Sequence, residues 1–204
     1  KSNAGWGEWL ANNGSKTFYE NGVWTYSWPT QLPLANLIYG WCFQLYVIIN
    51  TLFILLGSFV AEHHLGAGHM PWLYQLIEWW GNAKHAETNF KIGYLVTIKL
   101  VAITADLAVG AVIWLVAKKK KLAHQLWWQV IYLWSPFSIY LSSFWGQYDQ
   151  LAFLFLLLGI LSIKKYPVLS PILMLISLGI KPTGAIFGIF YLYLLIKNRE
   201  NWRW

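Results

Sequence analysis

Asp149 is one of only two aspartates in 204 residues. It closes the segment Trp145-Gly146-Gln147-Tyr148-Asp149, which sits between two apolar runs. A carboxylate there has two readings. It can cap the following helix, where free amides and the helix dipole favour it, or it can bind a polar substrate or a metal. Its neighbours suit the second role: Gly146 permits a tight turn and Gln147 brings donors and an acceptor. Trp145 and Tyr148 present flat faces of the kind that stack on sugar rings. Lys181 stands between two apolar segments and precedes a proline. A lysine in that position must snorkel or find an anion. A phosphate is a natural partner, and the N-terminus of the next helix adds partial positive charge.

Lys99 and Asp106 lie seven apart in another apolar run, so on a helix they project from nearly the same face, two turns apart. Charges at mid-membrane depth are functional candidates; direct or water-linked pairing inside a bundle is the plainer reading. His63, His64 and His69 have irregular spacing and no Cys or Asp beside them, and they read as interfacial histidines. The chain contains no Walker motif, which argues against an ATP-driven machine within it. Cys42 is the single cysteine, so no disulfide can close within the chain.

The elements that must position these residues are apolar helices. The chain is 57% hydrophobic and 11% charged, with mean hydropathy +0.44, whereas a soluble domain carries about 25% charged residues. Fifteen tryptophans and twelve tyrosines suit the headgroup region of a bilayer. The expected fold is therefore all-α, a polytopic helical membrane protein. Residues 1–33 form an extracytoplasmic loop with a short amphipathic helix at GEWLANN, and residues 34–204 form a transmembrane bundle. Its helices are expected near 34–61, 93–117, 123–144, 150–163, 168–180 and 183–196, with Pro136 kinking the third. The run at 71–80 is too short to span and suits the interface. The last three helices are short as well. Fourteen residues rise about 21 Å against a hydrocarbon core of about 30 Å, so they must extend into their flanks or the membrane must thin.

Charge sets the topology. The basic residues cluster in short runs between apolar segments, which reads as cytoplasmic loops and not as a nucleic-acid patch. With Lys118 to Lys121 in the cytoplasm, nine of the fifteen Lys and Arg fall on that side. Asp149 and Lys181 then emerge together on the extracytoplasmic side. Segment 34–61 resists this parity, and three paths stay open for it: re-entrant, interfacial, or paired with 71–80.

The block SPFSIYLSSFWGQYDQLAFLFLLLGI, a basic loop and then ISLGIKPTGAIFGIFYLYLLI resemble the GT-C glycosyltransferases, nearest to mannosyltransferase-like members with a WGQ[FYV]D segment and a later Lys-Pro. The stretch WLANNGSKTFYENGVWTYSWPTQLPLANLIYG resembles their first extracytoplasmic loop, although their YPPL element reads WPTQLPL here, and KLVAITADL resembles the helix after it. The resemblance covers most of residues 6–199.

It implies an inverting transfer of a mannose-like hexose from a polyprenyl-phosphate donor to a glycan, lipid or protein acceptor. The reaction would take place on the extracytoplasmic face of a plasma or endoplasmic reticulum membrane. Carried over by position, Asp149 binds the acceptor or a divalent metal (Mg or Mn), Trp145, Gln147 and Tyr148 shape the sugar site, and Lys181 holds the donor phosphate. Members place an aspartate base just after a first membrane helix. No Asp precedes residue 106 here, and Glu8 is the substitute acid. The resemblance therefore implies a piece that lacks that first helix and is inactive alone. A transporter or flippase of lipid-linked saccharides would also want intramembrane charges and broken helices, and a non-catalytic scaffold would tolerate loss of both Asp149 and Lys181.

Overall fold

A computed structural model describes residues 2–15, 18, 33–62, 71–81, 91–140, 142, 148–182 and 184–197. The protein is all-helical: the elements among the described residues are α1 (Ser2–Asn13), α2 (Pro33–Glu62), α3 (Pro71–Gly81), α4 (Ile92–Lys119), α5 (Gln125–Leu133), α6 (Pro136–Ile139), α7 (Asp149–Ser162), α8 (Leu169–Ile180) and α9 (Gly184–Lys197). Among the described residues two helices are long and apolar enough to cross a membrane, Pro33–Phe59 within α2 and the whole of α4. The chain divides into two compact units, Lys1–Thr30 with Asn36–Ile98, and Gln31–Ala35 with Lys99–Trp204. This is a different division from the expected boundary between residues 33 and 34. The opening turns of α4 belong to the first unit and the rest of it to the second.

In the first unit α1 is a packed element. Trp6 and Leu10 bury with Phe18, and Leu37 of α2 packs against them. The Tyr94 hydroxyl lies 3.0 Å from the Ala4 carbonyl and 3.3 Å from that of Tyr39, and so ties α1, α2 and the start of α4 together. Gly14, at φ +80°, ends α1 in the left-handed conformation, with its N–H donating to the Leu10 carbonyl at 2.9 Å. α2 runs unbroken for 30 residues, a rise of about 45 Å. It pairs with α3: Trp80 packs edge-on against Phe53 at 5.7 Å and lies 6.3 Å from Tyr46.

In the second unit the expected helix over 123–144 is two helices with a break. Trp134 and Ser135 leave the helix after α5, and Pro136 opens α6. Proline pushes the residue before it out of the helical region, and Ser135 sits at φ −59°, ψ 124°. Pro136 itself takes a first-turn position, where its missing N–H costs nothing. It therefore terminates one helix and starts another where a kink was expected.

α7 and α8 form an antiparallel hairpin closed by hydroxyl-to-carbonyl bonds. Ser177 Oγ donates to the Ala152 carbonyl at 2.7 Å, and Ser170 Oγ donates to the Gly159 carbonyl at 2.7 Å. The small residues let the backbones approach: a Cβ on Gly159 would lie 3.3 Å from the Ser170 carbonyl oxygen. Ser170 Oγ also lies 2.7 Å from the Tyr191 hydroxyl of α9, so α9 packs back along the hairpin. Leu156, Ile163, Met174 and Tyr191 bury together as its core. Ser170→Ala removes the bond to Gly159 and leaves Tyr191 without that partner. It is expected to lower unfolding free energy in mixed micelles by roughly 0.6–2 kcal/mol, with Gly159→Val costing more through steric separation of the helices.

Candidate functional site

Asp149 is the first residue of α7. Tyr148, buried, occupies the cap position and makes no side-chain cap bond. Lys181 follows α8 with extended backbone, φ −148°, ψ 130°, and its N–H donates to the Ser177 carbonyl at 3.0 Å. Pro182 accounts for that geometry, since the residue before proline is held extended. The start of α7 and the end of α8 lie at one end of the hairpin, one turn beyond the Ala152–Ser177 contact. There Asp149 Oδ1 and Lys181 Nζ form an ion pair, with the side chains 25% and 26% exposed. Asp149 is thus paired with a cation while its first-turn position also favours negative charge.

Beside the pair lies a cavity of about 520 Å³, within the range of small-molecule sites. Asp149 and Gln150 of α7, Tyr132 of α5, Ser138 of α6 and Ser177 of α8 supply its polar lining, and Phe153 of α7 and Phe187 of α9 supply aromatic walls. Tyr132 donates its hydroxyl hydrogen to Asp106 Oδ1 at 2.7 Å. The direct form of the expected Lys99–Asp106 pairing is not made. Asp106 is 6% exposed and engaged by Tyr132, whereas Lys99 is exposed and forms no ion pair with it. Two helical turns separate the two backbones by roughly 10 Å.

Of the other expected site residues, Trp145 and Gln147 lie outside the described residues, as do His63, His64 and His69. Glu8 belongs to the first unit and Asp149 to the second. A divalent metal at Asp149 would find one carboxylate already paired with an ammonium. Among the described residues no three His, Cys, Asp or Glu side chains gather. That donor set does not fit a dedicated metal site. Ser170, Ser177, Tyr132 and Gln150 were not singled out from sequence. The signal for the serines was present: Ala152 and Gly159 are seven apart on one helix and Ser170 and Ser177 seven apart on the next. Compared with known proteins, the chain matches no family model, no curated protein and no solved structure.

Glu8 on α1 is partly buried, and desolvation raises its carboxyl above the ordinary value of 4.5. A raised value in the folded state means the folded protein holds that proton more tightly than the unfolded chain. Stability from this group therefore falls as pH rises from 4.5 through the raised value, and stays lower above it. Glu8→Gln is expected to remove that fall and to melt higher than wild type at neutral pH. The Asp149–Lys181 pair is open to solvent, so its worth to folding is small. A double-mutant cycle of Asp149→Ala and Lys181→Ala is expected to give a coupling of about 1 kcal/mol or less in thermal or denaturant unfolding, weakening with salt.

Proposed function

We propose that the protein is a polytopic membrane glycosyltransferase of the GT-C type, transferring a mannose-like hexose from a polyprenyl-phosphate donor to an acceptor hydroxyl on the extracytoplasmic face. The observation that carries this reading is the Asp149–Lys181 ion pair at the edge of a cavity with aromatic walls. A carboxylate and an ammonium side by side are what phosphosugar transfer requires. Lys181 exchanges Asp149 for the donor phosphate and stabilises it as it leaves. The freed Asp149 carboxylate accepts the proton of the acceptor hydroxyl. The acceptor oxygen bonds to the anomeric carbon as the bond from that carbon to the phosphate oxygen breaks, with inversion.

The membrane setting is supported by what the helices leave uncovered. Leu45, Ile48, Leu52 and Leu55 of α2 and Trp127, Ile131 and Trp134 at α5 are all exposed. An exposed apolar stripe at helical spacing on each of these helices suits lipid or a protein partner better than water. Lys118 lies 5.1 Å from the Trp114 ring, Lys165 5.0 Å from that of Tyr166 and Lys197 5.9 Å from that of Tyr193. Lysines laid over aromatic rings at helix ends suit a membrane–water boundary.

In native membranes, Asp149→Asn and Lys181→Ala are each expected to reduce sugar transfer from a polyprenyl-phosphate hexose by at least roughly a hundredfold. Lys181→Arg should retain part of it. The measurement is radiolabelled sugar incorporated per unit of folded protein. Normal turnover in both the Asn and Ala variants would overturn the assignment.

A further inference from the structure

The turn between α4 and α5 lies away from the Asp149 cavity and none of the transfer chemistry above uses it. α4 ends in a pair of reversed bonds: the Leu122 N–H donates to the Ala117 carbonyl at 3.0 Å and the Lys121 N–H to that of Lys118 at 3.1 Å. This ending needs a left-handed residue, a place that favours glycine, and here Lys121 takes it at φ 53°. His124, directly before α5, is also left-handed at φ 53°. The turn brings the last turns of α4 beside the start of α5. Trp114 and Lys118 from the one and His124, Gln125 and Trp127 from the other line a cleft of about 560 Å³. A second cleft of about 490 Å³ shares His124 and Trp127 with the first, and Leu122, Trp128 and Ile131 give it apolar walls.

The two clefts differ in chemistry. Lys118 in the first lies 5.1 Å from the Trp114 ring, and an ammonium over one ring face keeps donors for an anion. Lys119, Lys120 and Lys121 follow it, all exposed, and among the described residues none of the four lysines is in an ion pair. The α4 dipole ends here with negative sign, which Lys118 and Lys119 in its last turn offset. In the second cleft Trp127, Trp128 and Ile131 are exposed. A cationic cleft joined to an apolar one selects an anion attached to hydrocarbon.

We propose that the joined clefts bind one phospholipid with an anionic headgroup, its phosphate held by Lys118 and the His124 ring N–H and an acyl chain lying along Trp127, Trp128 and Ile131. Charge complementarity selects this occupant, because a zwitterionic lipid would bring its own ammonium against four lysines. The inference rests on the membrane setting proposed above and not on sugar transfer.

The test uses the protein at its natural length in phosphatidylcholine nanodiscs. Trace phosphatidylglycerol or phosphatidylcholine carries a photoactivatable diazirine on its acyl chain, and cross-linked residues are mapped by peptide mass spectrometry. No sugar donor is present, so the result is read apart from turnover. The phosphatidylglycerol probe is expected to label residues 122–131 saturably and roughly fivefold or more above the phosphatidylcholine probe. Lys118→Gln is expected to lower phosphatidylglycerol labelling there roughly three- to tenfold, to leave phosphatidylcholine labelling unchanged, and to melt with wild type because Lys118 is exposed. Lys118→Arg should keep most of the labelling. Replacing both Lys164 and Lys165 by Gln removes more charge from the α7–α8 loop and should leave labelling at 122–131 unchanged. Four results would each overturn the proposal. The first is equal labelling by the two probes, and the second is unchanged labelling in Lys118→Gln. The third is a loss in the Lys164→Gln, Lys165→Gln variant as large as in Lys118→Gln, which would mean diffuse attraction and no site. The fourth is displacement by excess inorganic phosphate or by a soluble acidic peptide at constant ionic strength, which would give the cleft to a soluble anion.

Discussion

The register of the α7–α8 hairpin governs the candidate site. Two serine hydroxyls set that register by reaching backbone carbonyls across the helix interface, Ser177 to Ala152 and Ser170 to Gly159. Each contact needs the partner position to be small, because a larger side chain would hold the backbones beyond hydroxyl reach. Moving seven residues up one helix matches moving seven down the other. Continued one turn past Ala152 and Ser177, the same register brings Asp149 beside Lys181. Shifting it by one residue would rotate the serines off the interface and carry the carboxylate away from the ammonium. The charges meet because the helices are aligned, and their solvent-exposed attraction adds little to that alignment.

The polar groups of this unit form a graded series. Ser170 and Ser177 are fully buried and satisfied by backbone and by Tyr191. Asp106 is buried and holds the Tyr132 hydrogen. Gln150 lines the cavity with its Oε1 buried and without a partner, and Asp149 and Lys181 are partly open. The cavity draws on both kinds: the hydrogen-bonded Ser177 and Tyr132 line it beside Gln150 and the partly open Asp149.

Much of this was legible from the chain. Apolar runs delimited α2, α3, α4, α7, α8 and α9 to within two residues, Lys-Pro marked the end of α8, and the basic loop between α7 and α8 implied a hairpin with Asp149 and Lys181 at one end. What escaped was long-range. The seven-residue spacing of Lys99 and Asp106 suggested a local pair, but Tyr132, from a separate helix, reaches the carboxylate instead. Gln150 was not singled out at all, because its burial and its place at the cavity come from the packing of separate helices. The strength of Pro136 as a breaker was understated because the apolar run passes through it unchanged, and periodicity does not register a change of helix axis. The depth at which α1 packs was also hidden, since Trp6, Leu10 and Phe18 stand among polar neighbours and only their contacts with α2 show them as core.

The brevity of α8 has a consequence for where such a protein can work. Its twelve residues rise about 18 Å, roughly 12 Å less than an average hydrocarbon slab. In a bilayer, lipid tails beside the hairpin must shorten or tilt to meet it, at a cost that grows with every added ångström of acyl chain. On the membrane reading proposed above, lipid composition becomes a control variable. Thin, sterol-poor bilayers would let water down to the mouth of the cavity with little elastic distortion, and thick, sterol-rich ones would resist the dimple that exposes it.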